Sequence, residues 1–347
     1  MILAAALTAA LAAAQAARAH VQQHEPEIVE ELRSFVALPN VASDHDGIEK
    51  NAAAIIAMFG RRSIEARLLL VSGAPPIVVA EWGSGQRVIN FYAHYDGQPV
   101  DAAQWATPPW SPVIKDGRLY GRSASDDKAP IVAMLAAIDA MRAVHVGPAA
   151  RIRFVFEGEE EAGSPHLAEY LKQYANELRT DAWMICDGPV HQSGKLQLYF
   201  GARGVTDVEI TTYGPSRPLH SGHYGNWAPN PIVALTHLID SLRDTDAKIL
   251  IPGFYDDVTP LTAAERAAIA EFPDVDGALK HELALGRTEG EGPLALQILA
   301  PALNLRGFEA GHVGAKASNA IPSTASASID FRLVPAQTPE GVQHRVE

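Results

Sequence analysis

An apolar run, Val88 to Ala93, leads directly into His94-Tyr95-Asp96, and Gly97 and Pro99 then end the extended stretch. Residues i and i+2 of an extended chain share a face. Asp96 is therefore placed to orient the His94 ring and raise its basicity toward a metal ion. Three more acidic sets follow apolar or turn-forming stretches: Asp126-Asp127, the run Glu157-Gly158-Glu159-Glu160-Glu161, and Asp187 before Gly188-Pro189. Each has an ordinary explanation taken alone. His-x-Asp can be a hydrogen-bonded pair at a strand end. Asp126 or Asp127 can cap the helix that follows, the glutamate run can be a solvated turn, and Asp187 can be a turn former. What favours chemistry is that His94, Glu160, Glu161 and Asp187 all fall where the chain leaves an apolar strand, with Asp126-Asp127 as one more acidic pair at a turn between them in sequence.

The chemistry that set could support is hydrolytic. Divalent metals of hard or borderline character bind carboxylates and neutral imidazole, and zinc accepts both. His94, Asp126, Glu161 and Asp187 are the candidate ligands. One carboxylate shared between two ions would hold them about 3.5–4 Å apart and supply a nucleophile from bound water near neutral pH. A further carboxylate must then take a proton and deliver it to the leaving amine. Glu160, beside Glu161, is placed for that task, and partial burial next to a like charge should raise its pKa toward the working range.

The elements that must position these groups alternate in type. Helical spacing covers Pro26–Leu38 and Lys50–Phe59, and short β-rich runs follow at 66–71, 77–82 and 88–93. Ala129–Arg142 reads as a helix, Arg151–Phe156 as a strand, Leu167–Leu178 as a helix and Ala182–Cys186 as an apolar strand. Such alternation with continuous apolar strands implies an α/β fold whose mainly parallel sheet carries helices on both faces. Ligands of such sheets bind beyond the carboxyl ends of the strands, where His94, Glu160, Glu161 and Asp187 all fall. From about Gly201 the texture changes. Val205–Thr212 and Ala325–Leu333 alternate apolar and polar residues, the mark of half-exposed antiparallel strands, with helices expected at 231–243 and 262–271. The division expected is 20–200 for the catalytic domain and 201–347 for a smaller α+β domain.

The bulk properties narrow the partners. The chain has 347 residues and a formal net charge of -13, which argues against a nucleic-acid partner because such binders carry a basic footprint. Residues 1–19 are rich in Ala and Leu and end in Ala17-Arg18-Ala19, the pattern of a cleaved secretory signal. That places the protein in the periplasm or outside the cell, or in the cytoplasm if the start is misassigned. No later run is long and apolar enough to span a bilayer. Cys186 is the only cysteine, so no intramolecular disulfide can form, and its apolar setting suggests an inert core thiol.

Four stretches carry a resemblance: His94-Tyr95-Asp96-Gly97-Gln98-Pro99, Leu119–Lys128, Phe156–Ser164 and Leu219-His220-Ser221-Gly222. In order and spacing the chain resembles the dinuclear zinc peptidases that include carnosinase, aminoacylase and succinyl-diaminopimelate desuccinylase, and within them the carnosinase-type dipeptidases. The resemblance implies that His94 and Asp187 hold one metal, that Asp126 bridges, and that Glu161 binds the second. It implies Asp96 as the orienting carboxylate and Glu160 as general base. It further implies that His220 crosses the interface of a homodimer built through the smaller (lid) domain to steady the tetrahedral oxyanion, and that Arg332 grips a substrate carboxylate, a task suited to a planar guanidinium. On the residues alone, His220 is a loop histidine and Arg332 an arginine on an exposed strand face.

The implied cofactors are two divalent ions, Zn2+ foremost, with Mn2+ or Co2+ fitting the same donors. The implied substrates are dipeptides or short peptides, or else N-acyl amino acids, and an inactive truncated homologue is the non-catalytic alternative. Two departures stand out. Ser123 and Ala129 occupy positions where the family has glycine. The family also continues for roughly another hundred residues, including a late histidine ligand, whereas this sequence ends just after Thr338-Pro339, a capped helix start. A fragment with an incomplete second metal site is the expectation.

Overall fold

The computed structural model describes residues 2–188 and 190–347, and they form two compact units that meet in sequence at 189/190. The turn expected at Gly188-Pro189 includes Pro189, which lies outside the described residues.

In the first unit, helices α1 (Ile2–Gln23), α2 (Glu25–Val36) and α3 (His45–Arg61) precede strands β1 (Ala66–Leu69), β2 (Ile77–Trp82) and β3 (Val88–His94). A small hairpin, β4 (Val113–Lys115) and β5 (Arg118–Tyr120), leads to α4 (Lys128–Ala143), β6 (Arg151–Glu157), α5 (Leu167–Gln173) and β7 (Ala182–Ile185). The larger sheet has the order β1-β2-β6-β3-β7. Its β3 runs parallel to both β6 and β7, while β1–β2 and β2–β6 are antiparallel. The α/β class holds and the sheet is mixed, because a short turn can join only antiparallel neighbours and parallel ones need a long crossover. The link from β1 to β2 is such a turn; α4 and α5 lie within the crossovers that produce the parallel pairs.

Period-two alternation assigns each strand residue to a face. Val78, Ala80, Phe154 and Phe156 join Phe35, Ile55, Ile131 and Leu135 from α2, α3 and α4 in one core. Ile77, Val79 and Val155 point the other way and pack with Leu69, Tyr170 and Leu178. Helices therefore cover both faces, as the apolar strands required. β7 departs from the expectation of a fully buried strand: Ile185 is 59% exposed and Cys186 only half-buried. The reason is its place at the end of the sheet order, with β3 on one side only. Burial still pushes the Cys186 thiol up to about 11, so it stays protonated at neutral pH.

Helix α1 lies against α4 and α2. No helix among the described residues is long and apolar enough to cross a membrane.

The second unit contains β8 (Gly204–Tyr213), β9 (Leu219–His220), α6 (Ser221–Tyr224), α7 (Pro231–Leu242), α8 (Ala263–Ala270), α9 (Asp276–Glu282) and α10 (Leu294–Gln297). Then come β10 (Ala302–Glu309), β11 (Ala320–Ile321), β12 (Thr324–Leu333) and α11 (Pro339–Val346). Strands β10, β12 and β8 form an antiparallel sheet in that order. Ala325, Ala327, Ile329, Phe331 and Leu333 are buried on one face of β12, which confirms the alternation read from sequence. Local signals hold here too. Thr262 and Glu265 form a reciprocal capping box on α8, and the Thr338 hydroxyl caps α11 with Pro339 in its first turn.

Candidate metal centre

The two parallel pairings bring the carboxyl ends of β3, β6 and β7 to one edge of the sheet. His94 is the last residue of β3, Glu157 the last of β6, and Asp187 follows β7, while Asp126 and Asp127 enter α4. Strand direction alone thus gathers groups scattered over the sequence.

His94 is fully buried, and its ring is the hub. Its Nε2 lies 3.0 Å from Asp126 Oδ1, 3.8 Å from Asp187 Oδ2 and 3.9 Å from Glu160 Oε2. Donor atoms of His94, Asp126 and Glu161 all lie within 4.8 Å of one another, and so do those of His94, Glu160 and Asp187. His94 Nδ1 faces Asp96, at 3.4 Å from Oδ1 and 3.3 Å from its carbonyl oxygen.

Asp96, also fully buried, has a second task. Its Oδ1 accepts from Glu160 N and its Oδ2 from Glu161 N, each at 3.0 Å. One carboxylate therefore fixes the ring on β3 and the backbone that carries both glutamates. The link between Asp96 and His94 was legible from their spacing. The link to the glutamate loop was not, because the loops meet only when β3 and β6 pair.

Three further groups act at the site with roles the sequence did not announce. Asp127 was a candidate cap for α4, yet its side chain makes no capping bond; it is buried and its Oδ2 accepts from His94 N at 3.1 Å. Gln98, two residues past Asp96, donates from Nε2 to Glu161 Oε2 at 2.7 Å. Tyr92 donates to Glu157 Oε2 at 2.6 Å, while Glu157 Oε1 is buried without a partner. Period two from His94 through Asp96 to Gln98 was the available signal for Gln98; nothing local marked Asp127.

Electrostatically the cluster is short of positive charge. Burial raises the Glu160 and Asp187 carboxyls; His94 opposes the rise, and neighbouring carboxylates add to it. Asp127 is pushed up to about 8, chiefly by burial. Burial disfavours a charged His94 ring, but the Asp96 hydrogen bond and the surrounding carboxylates outweigh it and lift the ring to about 10. Carboxylates with raised pKa around a single imidazole form a donor set that a divalent cation would complete, replacing the protons they otherwise hold. The residues present fit such an ion.

His220 and Arg332 belong to the second unit. His220 is exposed, stacks on His223 at 4.6 Å between ring centroids and accepts from Gly222 N at 3.1 Å. Arg332 Nε lies 2.9 Å from Asp330 Oδ2 on the polar face of β12.

An α/β sheet whose strand ends converge on one buried imidazole and several carboxylates has the donor set of a divalent-metal site. The model of peptidase family M20/M25/M40 matches residues 90–330, and the chain belongs to that family of metallopeptidases. It is 28% identical to the human Beta-Ala-His dipeptidase over 94% of this chain and 69% of that protein. It is 27% identical to the Cys-Gly metallodipeptidase dug1 of Schizosaccharomyces pombe, over 94% and 73% respectively. Among solved structures it resembles the M20 family metallo-carboxypeptidase Sso-CP2 of Sulfolobus solfataricus, with a TM-score of 0.77 and 30% identity, covering 92% of this chain and 74% of that one.

Proposed function

We propose that this metallopeptidase cleaves dipeptides or short peptides with a free C-terminal carboxylate, using Zn2+ held by His94, Asp126, Glu161 and Asp187. The observation that carries the reading is the convergence of Asp126, Glu160 and Asp187 on His94 Nε2, each within 4 Å. The relatives named as dipeptidases and a carboxypeptidase support the substrate class. A divalent cation in this cluster would acidify water and polarise the scissile carbonyl.

The chain's own groups would do the rest. Asp96 holds the His94 ring in one orientation, so that Nε2 stays aimed at the cluster. Gln98 holds Glu161 in place. Glu160, whose pKa is raised, accepts a proton from the attacking water at its carboxylate and delivers it to the departing amine. Arg332 would pair with the substrate carboxylate, and His220, reaching across a homodimer of the second unit, would steady the oxyanion. An N-acyl amino acid would present the same carboxylate and an equivalent amide, so deacylation is the runner-up.

A panel of dipeptides and N-acyl amino acids, assayed with Zn2+ in parallel with Glu160→Gln, tests the reading. Turnover of dipeptides that Glu160→Gln abolishes is the expected outcome. Exclusive turnover of N-acyl amino acids would shift the assignment, and turnover indifferent to Glu160 would remove it.

A further inference from the structure

Asn40 lies in the loop between α2 and α3, in none of the four motif stretches, and it is fully buried. Its Nδ2 donates to Tyr95 O at 2.8 Å and to Ser123 Oγ at 2.9 Å. Tyr95 O can only accept, so the amide must face it with its nitrogen. Both N–H bonds are thus spent on two different loops, one carrying His94 and Asp96, the other carrying Asp126 and Asp127. Asn40 O also accepts from Gly97 N at 2.9 Å, which ties the same loop a second time.

Several observations show that this junction is tight. A Cβ on Gly97 would sit 2.3 Å from Ser123 Oγ and 3.1 Å from the Asn40 amide. Ser123 holds φ at 61°, in the left-handed region that non-glycine residues seldom occupy. Its carbonyl accepts from Lys128 N, closing the turn that presents Asp126 and Asp127. Lys128, fully buried, donates from Nζ to Phe35 O and Leu38 O at 2.9 Å each, on the segment that leads into Asn40. Asn51 donates to Pro39 O at 2.8 Å and braces that segment from α3.

We propose that Asn40, through its bonds to Tyr95 O and Ser123 Oγ, is a positioning residue that fixes the distance between His94 and Asp126 and thereby the geometry of the metal centre. It acts through those two loops and is not itself one of the candidate ligands. The inference rests on the metal-binding reading of His94 and Asp126. The Asn40–Ser123 bond restrains a strained serine where glycine would meet no backbone penalty.

Co2+ is the probe, because its visible absorption reports coordination geometry directly. The 347-residue chain and the variants Asn40→Ala, Ser123→Gly and the double variant are titrated with Co2+ alone, with thermal melts alongside. Asn40→Ala is expected to weaken Co2+ about tenfold and to change the intensity of the visible bands. Ser123→Gly should weaken it severalfold, and the double variant should be no worse than Asn40→Ala by more than about twofold, since the bond lost in Ser123→Gly is already lost in Asn40→Ala. The core variant Ile138→Val, a control for lost stability, should lower Tm and leave the spectrum unchanged.

Should Asn40→Ala not fold, Ser123→Gly carries the test, because glycine adopts φ of 61° without strain. Wild-type affinity and spectrum in the folded variants would overturn the proposal while leaving the metal centre intact. Failure of the unmodified chain to take up Co2+ would overturn the metal reading and this proposal with it.

Discussion

His94 shows how one buried side chain is made specific by what surrounds it. Its ring meets the orienting Asp96 on one nitrogen and the cluster on the other, and its backbone N–H is held by Asp127. Glu160 is the residue on which turnover should depend most. Glu160→Gln is expected to lower kcat by about 10²–10⁴-fold with bound metal retained, measured as steady-state turnover beside metal analysis of the same sample. The protonation of these groups in chelator-treated protein gives a second prediction. Folded Asp127 keeps its proton up to about 8, against 3.8 when unfolded, and folded His94 up to about 10, against 6.5. In both windows the unfolded chain binds fewer protons, so stability falls as pH rises. Thermal melts of chelator-treated protein should therefore show Tm declining from pH 5 to pH 9, with a shallower decline in Asp127→Asn. A rising Tm would contradict the assignment.

At the scale of elements, the loop 158–163 between β6 and α5 is held by Asp96 at Glu160 N and Glu161 N and packs closely at Gly158. Gly158 permits this because an added Cβ would fall 2.5 Å from Tyr95 Oη, and Tyr95 is itself fully buried and bonded to Pro76 O. Gly158→Ala must displace either Tyr95 or the backbone that leads to Glu160 and Glu161. Loss of metal affinity by about tenfold, in the range seen when groups supporting ligands are disturbed, is the expected result of a titration. Tyr95→Phe in the same background removes the nearest clashing atom and should restore part of it. Capping side chains mark the helix starts at Asn230, Thr262 and Thr338, each accepting a backbone N–H, whereas Asp44 begins α3 at His45, five residues before the expected Lys50, and α5 stops at Gln173, short of Leu178.

At the scale of the whole molecule, each unit has its own apolar core, and the candidate ligands all belong to the first. A ligand that binds only the folded form stabilises it by about 2.7 kcal/mol at a hundredfold excess over Kd. Added Zn2+ should therefore raise the melting transition of the unit comprising Met1–Pro189. The other unit's transition should stay where it is, as read by calorimetry with and without chelator. An upward shift of both transitions would place binding outside the cluster described.

Strand and helix identity, the α/β class, the alternating faces of β12 and the candidate ligands were decided by local sequence, because burial periodicity and capping depend on near neighbours. His94, Glu161 and Asp187 could be nominated from their positions at the ends of apolar strands, and Asp126 from its place in an acidic pair at a turn. Tertiary structure alone decided that β2 runs against β6, that β7 stands exposed at the edge of the sheet, and that Asp127 serves the His94 backbone instead of a helix end. It also decided that Asn40, eighty-three positions before Ser123, binds it. Such facts depend on which segments become neighbours, and that is set by packing the whole chain rather than by any stretch of it.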